Sequence, residues 1–488
     1  MNKAAVAVED VRSFKEMKRD PLYAARVAIH PKEISGLFRQ IKWAVLATLL
    51  ALYYVLPWLR WDRGPGTPDQ AVLVDIPGRR FFFFGIEIWP QEIYYLTFLL
   101  IIAAFGLFLV SSLFGRVWCG FTCPQTVWTD LYMWVERKIE GDRGARIRLD
   151  RAPWTRDKIR KRASKHAVWL LIAAATGGVW IMYFNDAPTV TVDLLTGQAG
   201  LAVYFFFGLF TATTYLLAGW AREQVCTYMC PWPRFQAALL DQDSYVVTYQ
   251  RWRGEPRAPL RKGTTDWSNR GDCIACNNCV AVCPMGIDIR DGLQLECIGC
   301  GLCIDACNDV MKRIDRPRDL ITLSTDHNQR RLAEGLRPTR RFLRKRTLLY
   351  VAVLSLVSLV VLVALSTRAS TDVNILHDRN PLFVQLADGS IRNGYTIKIL
   401  NKNRTAQHYE LGIEGLAGAT LTVMGQDAEG IPSATLVANP DGVTTYRVFV
   451  SAPRDGLEEV QDVTFSLTDQ GGDGSTTEQE TVFRAPAS

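Results

Sequence analysis

The sequence predicts a multi-domain membrane protein that has five transmembrane α-helices, a cysteine-rich domain in the cytoplasm and a C-terminal antiparallel β-sandwich outside it. Three observations support this prediction: five apolar stretches, twelve cysteines that all fall between Cys119 and Cys307, and short strand-like runs after residue 367. A chain of 488 residues is also too long for one ordinary globular core. We therefore expect several structural units.

The five apolar stretches are each close to the roughly 20 residues that an α-helix needs to cross a bilayer. They run approximately over residues 41–59, 94–114, 167–184, 201–220 and 348–365. Lipid offers the backbone no hydrogen-bond partners, so such stretches must be helical or belong to a closed barrel, and their lack of two-residue alternation excludes the barrel. A buried helix of a soluble protein could explain one stretch but not five.

The distribution of Lys and Arg predicts the orientation of these helices. The segment 115–165 contains thirteen of them, whereas the segment 185–200 contains none. A second basic run, from Arg337 to Arg346, comes just before the last helix. Because cytoplasmic loops have the excess of Lys and Arg, both basic regions are expected inside and the residues after 367 outside. Both runs adjoin membrane helices and lack spaced aromatic residues, so nucleic-acid binding is not expected.

The tail after the last helix has the composition of an exported soluble domain, with nine Lys and Arg, sixteen Asp and Glu, and no cysteine. Alternating runs at 395–400, 419–423, 444–450 and 463–467 are separated by Gly, Pro, Asn and Asp, which predicts an antiparallel β-sandwich.

The expected order along the chain is a cytoplasmic N-terminal segment (1–40), a first transmembrane hairpin (41–114), a basic cytoplasmic loop (115–165), a second hairpin (166–220), a cytoplasmic cysteine-rich region (221–346), a fifth helix (347–366) and the exported domain (367–488).

Eight cysteines form two runs of identical spacing. The runs are Cys273-x2-Cys276-x2-Cys279-x3-Cys283 and Cys297-x2-Cys300-x2-Cys303-x3-Cys307. This spacing is typical of bacterial ferredoxins with two [4Fe-4S] clusters, in which the fourth cysteine of each run ligates the other cluster. It predicts a ferredoxin-like domain at about 265–315. One cluster is then ligated by Cys273, Cys276, Cys279 and Cys307, and the other by Cys297, Cys300, Cys303 and Cys283. Zinc also binds four thiolates, but its sites normally combine two cysteine pairs across a long spacer.

The other four cysteines form a second repeated pattern, which follows the second and the fourth helix. It reads Cys119-x3-Cys123-Pro in one place and Cys226-x3-Cys230-Pro in the other. If the chain is α-helical there, the i,i+4 spacing places both sulfurs of a pair on one face, and the proline suits the first turn of a following helix. Soft thiolates suit Cu(I), so these four are candidate catalytic and copper-binding residues. The alternative is that they are small, buried and unreactive.

Other redox and nucleotide chemistries are not indicated. The sequence contains no Gly-x-Gly-x-x-Gly and no Gly-Lys-Ser/Thr loop, so neither a nicotinamide nor ATP is an expected substrate. Of five histidines only His166 adjoins a membrane helix, and no Cys-x2-Cys is followed by His. Haem is therefore not supported.

Five longer motifs indicate a family. They are Asp75-Ile-Pro-Gly-Arg-Arg-Phe81, Trp118-Cys-Gly-Phe-Thr-Cys-Pro-Gln-Thr-Val-Trp128, Glu136-Arg-Lys-Ile-Glu-Gly-Asp142, Cys226-Thr-Tyr-Met-Cys-Pro-Trp-Pro-Arg-Phe235 and Gly286-Ile-Asp-Ile-Arg-Asp-Gly-Leu-Gln294. Together they resemble the cytochrome c oxidase accessory protein family, known as CcoG, FixG or RdxA. The resemblance extends from about Tyr23 into the tail.

The resemblance implies a bacterial membrane polyferredoxin, multi-pass in the inner membrane, with cytoplasmic clusters and a periplasmic immunoglobulin-like C-terminal domain. It implies a role in maturation of the cbb3-type cytochrome c oxidase, with one-electron reduction of Cu(II) to Cu(I) as the activity. The partners implied are the lipid bilayer, subunits of that oxidase and copper-delivery proteins. The electron donor is not indicated.

Two other functions fit the same residues. The first is an electron relay that oxidises membrane quinol and feeds a partner reductase, since proteins with that role contain similar Cys-x3-Cys-Pro pairs and ferredoxin runs. The second is a structural chaperone of the oxidase whose clusters sense the redox state. The long β-sandwich tail favours the oxidase-associated family over the shorter quinol-linked proteins.

Overall fold

The computed structural model divides the chain into two compact units, one up to Val361 and the other from Leu362 onward. The described residues are 28–64, 66–260, 267–426, 430–471 and 474–486. Most of the predicted N-terminal segment, residues 1–27, therefore lies outside the described residues, as do residues 265 and 266 of the predicted ferredoxin-like domain.

Within the described residues, five helices are long and apolar enough to cross a membrane, as the hydropathy predicts. The candidate spans are Leu37–Trp58, Pro90–Phe114, Arg156–Met182, Leu201–Ala221 and Lys345–Ser366. The third span begins eleven residues before the apolar stretch expected from residue 167, because its basic first turns are paired with acidic residues of a neighbouring helix. One such pair joins Lys165 and Glu140 at 2.9 Å. Which side of the membrane each connection occupies stays a prediction.

The α-helices lie in both the membrane region and the cysteine-rich region. In chain order they are α1 (Leu37–Val55), α2 (Tyr94–Phe114), α3 (Pro124–Glu140), α4 (Arg143–Arg151), α5 (Arg156–Met182), α6 (Ala187–Thr196), α7 (Leu201–Thr214), α8 (Trp232–Leu239), α9 (Arg251–Gly254), α10 (Asn278–Val282), α11 (Leu302–Arg313), α12 (Asp326–Ala333) and α13 (Lys345–Ser366).

The segment 115–165, predicted as a basic cytoplasmic loop between the two hairpins, is mostly helical. It contains α3, α4 and the start of α5. The α3 helix packs along α5, where the Tyr132 hydroxyl donates to Trp169 O at 2.9 Å and the Trp169 indole donates to Tyr132 O at 3.1 Å. Hydropathy could not predict this packing, because the charged residues of α3 are buried in ion pairs. The Glu136 carboxylate pairs with Arg146 at 2.9 Å and with Lys165 at 3.4 Å.

In the part of the chain that the structure describes, the strands form four sheets, all antiparallel. They are β1 (Val72–Asp75), β2 (Arg80–Phe83), β3 (Ile86–Ile88), β4 (Val246–Tyr249), β5 (Ile321–Ser324), β6 (Thr371–His377), β7 (Val384–Gln385), β8 (Ile391–Asn401), β9 (Gln407–Glu414), β10 (Thr420–Val423), β11 (Ala434–Ala438), β12 (Gly442–Ala452), β13 (Val460–Asp469) and β14 (Thr476–Arg484). The β1–β2–β3 meander links α1 to α2, and β4 pairs with β5 in the cysteine-rich region.

The second unit is the predicted β-sandwich. One sheet has the order β10-β12-β8-β6 with β7 also paired to β8, and the other has the order β11-β9-β13-β14. Alternate residues of β8 are buried, as a strand with one face toward a core requires. The Tyr395 hydroxyl, inside this core, donates to Val482 O at 2.9 Å.

The cysteine-rich region is tied to the membrane helices by backbone contacts. The Asp305 carboxylate accepts from the backbone N–H of Arg39 at 2.9 Å, which satisfies a donor at the start of α1. Beside the end of α2, the Tyr245 N–H donates to Leu113 O at 2.9 Å. These bonds hold the cysteine runs next to the ends of the spans.

Candidate functional site

The structure brings the eight ferredoxin-type cysteines together around two cavities. One cavity is lined by Cys273, Cys276, Cys279 and Cys307. The other is lined by Cys283, Cys297, Cys300 and Cys303, with Cys279 also on its wall. Each set of four combines three cysteines of one run with the last cysteine of the other run.

The two short helices explain this exchange. The helix α10 begins just before Cys279 and ends before Cys283, and α11 begins just before Cys303 and contains Cys307. Four residues of α-helix advance the chain by about 6 Å, so each helix moves its last cysteine away from the cavity of its first one. Because α10 and α11 pack against each other, the last cysteine of each helix reaches the cavity of the other run.

The loops before α10 and α11 have the same unusual backbone conformation in both cysteine runs. Ala275 and Gly299 stand two residues after the first cysteine and have φ of 53° and 70°. Asn277 and Gly301 follow the second cysteine and have φ of 57° and 73°. This left-handed conformation is unfavourable in free energy for residues other than Gly, and residues that adopt it are common at functional sites. The repeated conformation turns the cysteine sulfurs of each loop toward one cavity.

Burial dominates the electrostatics of these cysteines. It raises the pKa of Cys279 and Cys297 to about 11 and that of Cys283 and Cys307 to about 12. The thiols therefore keep their protons at neutral pH unless cations occupy the cavities. Backbone N–H groups of Met285 and Ile287 point at the Cys283 sulfur and lower its pKa in part. Such N–H donors stabilise thiolate ligands and tune cluster potentials.

The cysteine cavities fit an iron–sulfur cube better than one zinc ion. Among the described residues, no three His, Cys, Asp or Glu side chains are arranged around a point that could hold a single metal ion. A polynuclear cluster instead takes four thiolates around one common space, and four cysteines line each cavity. The apolar neighbours of these cysteines, including Ile289, Ile304 and Leu320, keep water away.

The membrane-proximal pairs lie on two matched π-helical turns. One turn, Trp118–Thr122, includes Cys119 and ends at Cys123, and the other, Val225–Met229, includes Cys226 and ends at Cys230. In each turn the last cysteine donates its N–H five residues back, over 2.9 Å to Trp118 O and 2.8 Å to Val225 O. The conditional expectation of an α-helix is therefore wrong at both pairs. Such π-turns are rare and occur often at functional sites.

The four membrane-proximal thiols lie close enough to influence one another. Burial raises the pKa of Cys119 to about 12, and negative charge on Cys123, Cys226 and Cys230 raises it further. Burial likewise raises the pKa of Cys226 to about 12. The Cys119 thiol donates to the Gln236 Oε1 atom at 3.1 Å. We refer to these four residues as the cysteine quartet.

The first π-turn packs directly on the second cysteine-lined cavity. Cys119 shares a buried apolar cluster with Cys300 and Ile298. A Cβ atom on Gly120 would lie 2.8 Å from Ile298 O and 3.1 Å from Cys300 N, so only glycine fits here without a shift. Arg116, just before the turn, donates to Cys297 O at 3.1 Å. The sequence interpretation missed Gly120, Gln236 and Arg116; the only local signal was the glycine inside the first Cys-x3-Cys motif.

Three protein-family models match parts of the chain. Residues 221–326 match a 4Fe-4S dicluster domain, residues 96–141 match a 4Fe-4S binding domain, and residues 361–486 match the IG-like fold at the C-terminal of FixG. The first match contains all eight ferredoxin-type cysteines. Together with five candidate spans, these matches define a multi-pass iron–sulfur membrane protein with a C-terminal Ig-like domain.

Three curated proteins are similar over nearly the whole chain. The nitrogen fixation protein FixG of Rhizobium meliloti is 50% identical over 91% of this chain and 90% of its own length. The proteins RdxB and RdxA of Cereibacter sphaeroides are 51% and 49% identical, over 88% and 93% of this chain and 90% and 96% of their own lengths. The chain therefore belongs to the FixG/RdxA family.

Proposed function

We propose that this protein is a cupric reductase that supplies Cu(I) for maturation of a cbb3-type cytochrome c oxidase. In this proposal the two cysteine-lined cavities hold [4Fe-4S] clusters, and the cysteine quartet receives Cu(II) as substrate. Bound clusters of this type accept and release single electrons. One electron is also what each Cu(II) needs to become Cu(I).

The lining of the cavities supports the ligand sets predicted from spacing. Cys273, Cys276, Cys279 and Cys307 are proposed to hold one cluster. Cys297, Cys300, Cys303 and Cys283 are proposed to hold the other. No residue would need to move between cavities to complete either set of four thiolates.

The contact between Gly120 and the Cys300 loop is the observation on which the copper proposal depends most. It places the backbone next to Cys119 within van der Waals distance of the backbone next to a proposed cluster ligand. Because Gly120 has no Cβ atom, no side chain separates the two loops at this point. An electron that leaves the second cavity therefore has a short, packed route to the quartet.

The chemistry of the quartet suits the product of this reaction. Thiolates are soft ligands and stabilise Cu(I) relative to Cu(II), so they increase the driving force for reduction. Because burial keeps the Cys119 and Cys226 thiols protonated at neutral pH, copper must displace these protons as it binds. Two thiolates suffice for Cu(I), which is compatible with the lack of a three-ligand site among the described residues.

The proposed location is the bacterial inner membrane, with both clusters on the cytoplasmic side and the Ig-like domain in the periplasm. The excess of Lys and Arg in 115–165 over 185–200 supports this orientation. The proposed partners, besides the bilayer, are subunits of the oxidase and copper-delivery proteins. Family membership supports this assignment.

The decisive experiment measures Cu(II) reduction by purified, dithionite-reduced protein under anaerobic conditions. Replacement of all four quartet cysteines by Ser should abolish Cu(I) binding and copper reduction while the iron content stays unchanged. Thr122→Ser, a conservative change in the first π-turn, is the matched control and should keep both activities. Unchanged copper reduction in the four-cysteine variant would contradict the proposal.

A further inference from the structure

A cavity among the membrane helices has the properties of a small-molecule site. It has a volume of about 320 Å³ and lies among α1, α3, α5 and α7. Known ligand pockets measure about 300–1,000 Å³. Three of these helices belong to candidate membrane spans. Trp180, on the cavity wall, is 41% exposed, so the cavity reaches the surface that lipid would cover.

The walls of this cavity suit a flat ring. Trp128, Trp180 and Phe210 line it, and the ring centroids of Trp180 and Phe210 are 5.1 Å apart. Aromatic pairs at this spacing form stable faces against which a further ring can pack. Among the described residues, no Asp, Glu, Lys, Arg or His side chain lines the cavity. The ligand is therefore uncharged.

Several polar groups of the walls already have partners. The Tyr53 hydroxyl donates to Thr176 O at 2.8 Å, and the Trp128 indole donates to Thr176 Oγ1 at 2.9 Å. The Thr213 hydroxyl donates to Leu209 O at 2.9 Å. These bonds fix the shape of the wall and leave those groups unavailable to a ligand.

Two polar atoms of the wall remain available. The Gln125 amide nitrogen donates to Leu217 O at 2.8 Å and to Arg222 O at 3.1 Å. Both partners are carbonyl oxygens, to which only the amide nitrogen can donate. This identifies the Nε2 atom, so the Oε1 atom is the one that faces away from these two partners. Within the described part of the chain, neither Gln125 Oε1 nor the Thr214 hydroxyl has a hydrogen-bond partner. Both residues line the cavity.

We propose that this cavity binds the head group of an isoprenoid quinol, which is the electron donor of the protein. An uncharged six-membered ring with two hydroxyls matches the aromatic walls and the two available polar atoms. One hydroxyl would donate to Gln125 Oε1, and the other would bond the Thr214 hydroxyl. The isoprenoid chain would leave past Trp180 into the bilayer. This inference rests on the proposed electron-carrying function but not on copper as the acceptor.

The cavity adjoins the cysteine quartet. Pro124 lines it and is covalently bonded to Cys123. Gln125 also lines a neighbouring cavity together with Glu223 and Cys226. A ring bound at Gln125 would therefore lie next to the segment that contains Cys123 and beside the cavity that Cys226 lines.

The proposed reaction balances with the cofactors already assigned. Oxidation of one quinol to quinone breaks two O–H bonds and releases two electrons and two protons. The two electrons would pass to the two proposed clusters, one each, and from there to two Cu(II). The two protons would pass to water through the neighbouring cavity, which the Glu223 carboxylate lines.

The test uses full-length protein with intact clusters, in detergent and without oxygen, titrated calorimetrically with decylubiquinol. Wild type should bind the quinol, and addition of quinol should bleach the visible absorbance of the clusters. Gln125→Leu and Thr214→Val should each weaken binding about tenfold or more, as expected for loss of a buried hydrogen bond. Thr196→Val is the matched control, because this threonine lies on α6 outside the cavity and its hydroxyl already bonds Val192 O, and it should bind like wild type.

The readouts separate this inference from the copper proposal. Clusters that are reduced with dithionite, with the excess dithionite then removed, need no quinol, so Cu(II) reduction by protein prepared in this way should be normal in Thr214→Val even when quinol binding is lost. Equal quinol affinity in wild type and both variants would overturn the inference. So would decanol binding as tightly as decylubiquinol, since that result would make the cavity a site for lipid chains only.

Discussion

Gly120 lies against Cys300 so closely that a Cβ atom on Gly120 would come within 3.1 Å of the Cys300 backbone. This contact joins two motifs that are 180 residues apart in sequence, the first Cys-x3-Cys turn and the second ferredoxin-type run. It links the membrane-proximal cysteines directly to a loop that carries a proposed cluster ligand. Its effect can be tested by adding a single methyl group.

Gly120→Ala should slow dithionite-driven copper reduction about tenfold or more while both clusters still assemble. The added Cβ would lie 2.8 Å from Ile298 O, so the two loops must separate, and electron transfer weakens as the gap widens. Gly208→Ala is the matched control, because a Cβ there would have no atom within 4 Å. Single-turnover Cu(I) formation measures the effect. Equal rates for the two variants would contradict a route through this contact.

Glu136→Gln should destabilise the membrane region by roughly 3–5 kcal/mol, the usual cost of removing one partner from a buried ion cluster. The carboxylate is buried among Arg146, Arg222 and Lys165, at 2.9, 2.9 and 3.4 Å. Asp157→Asn is the control, since that carboxylate pairs only with exposed bases on the helix surface, and such pairs contribute little. Thermal unfolding midpoints in detergent would show a large decrease for the first variant and almost none for the second.

The same carboxylate predicts a pH dependence. Burial alone would raise the pKa of Glu136, but Arg222, Lys165 and Arg146 outweigh it and lower the pKa from 4.5 to about 2. A lowered folded-state pKa stabilises the protein above the unfolded value and loses that contribution as the pH falls through the folded value. The midpoint difference between wild type and Glu136→Gln should therefore shrink between pH 4.5 and pH 2. A constant difference would show that Glu136 does not titrate in this range.

The sequence predicts the five spans and four of the β-sandwich strands well, because both depend on local patterns of apolar residues. Hydropathy alone could not place the start of α5 at Arg156, since that decision depends on Glu136 and Glu140 across the interface with α3. The β2–β3 hairpin was also missed. Its two-residue turn uses Phe84 at φ 51°, where Asn or Gly would have given the usual signal.

The cysteine ligands of the candidate site could be predicted from the sequence, but the turns and the cavity around them could not. Cysteine spacing predicts which thiols converge, because the spacing reflects the geometry of the cluster itself. The π-turn at Cys119 packs against a segment that is distant in the sequence, since a Cβ atom on Gly120 would lie 2.8 Å from Ile298 O. The cavity proposed for quinol is formed by residues of four helices. No single segment of the sequence contains enough of these residues to predict the cavity.

The orientation of the chain can be tested with reporter fusions. A reporter that is active only outside the cytoplasm should be active after Ser488 and silent near Lys312. The excess of basic residues before the last span and the acidic tail after it are the physical reasons. The opposite pattern would place the iron–sulfur region outside, and the copper proposal would then need a periplasmic site.

The last prediction concerns the exchange of cysteines between the two cavities. Anaerobically purified protein should contain about eight iron and eight acid-labile sulfides per chain, from two clusters. Twelve irons would instead assign the cysteine quartet to a third cluster and contradict the copper site. In Cys283→Ser the second cluster should be lost, so that Cys297, Cys300 and Cys303 become reactive to a thiol reagent under native conditions.

Alkylation mapped by mass spectrometry then shows which cysteines become reactive when Cys283 or Cys307 is replaced. In Cys283→Ser, Cys273, Cys276 and Cys279 should stay protected, because their proposed fourth ligand is Cys307 on α11. Cys307→Ser is the matched variant and should give the reverse pattern, with Cys273 to Cys279 reactive and the other cavity protected. Exposure of Cys273, Cys276 and Cys279 in Cys283→Ser would mean that each run holds its own cluster. The cavity linings argue against that result, since Cys283 faces the cavity of Cys297, Cys300 and Cys303.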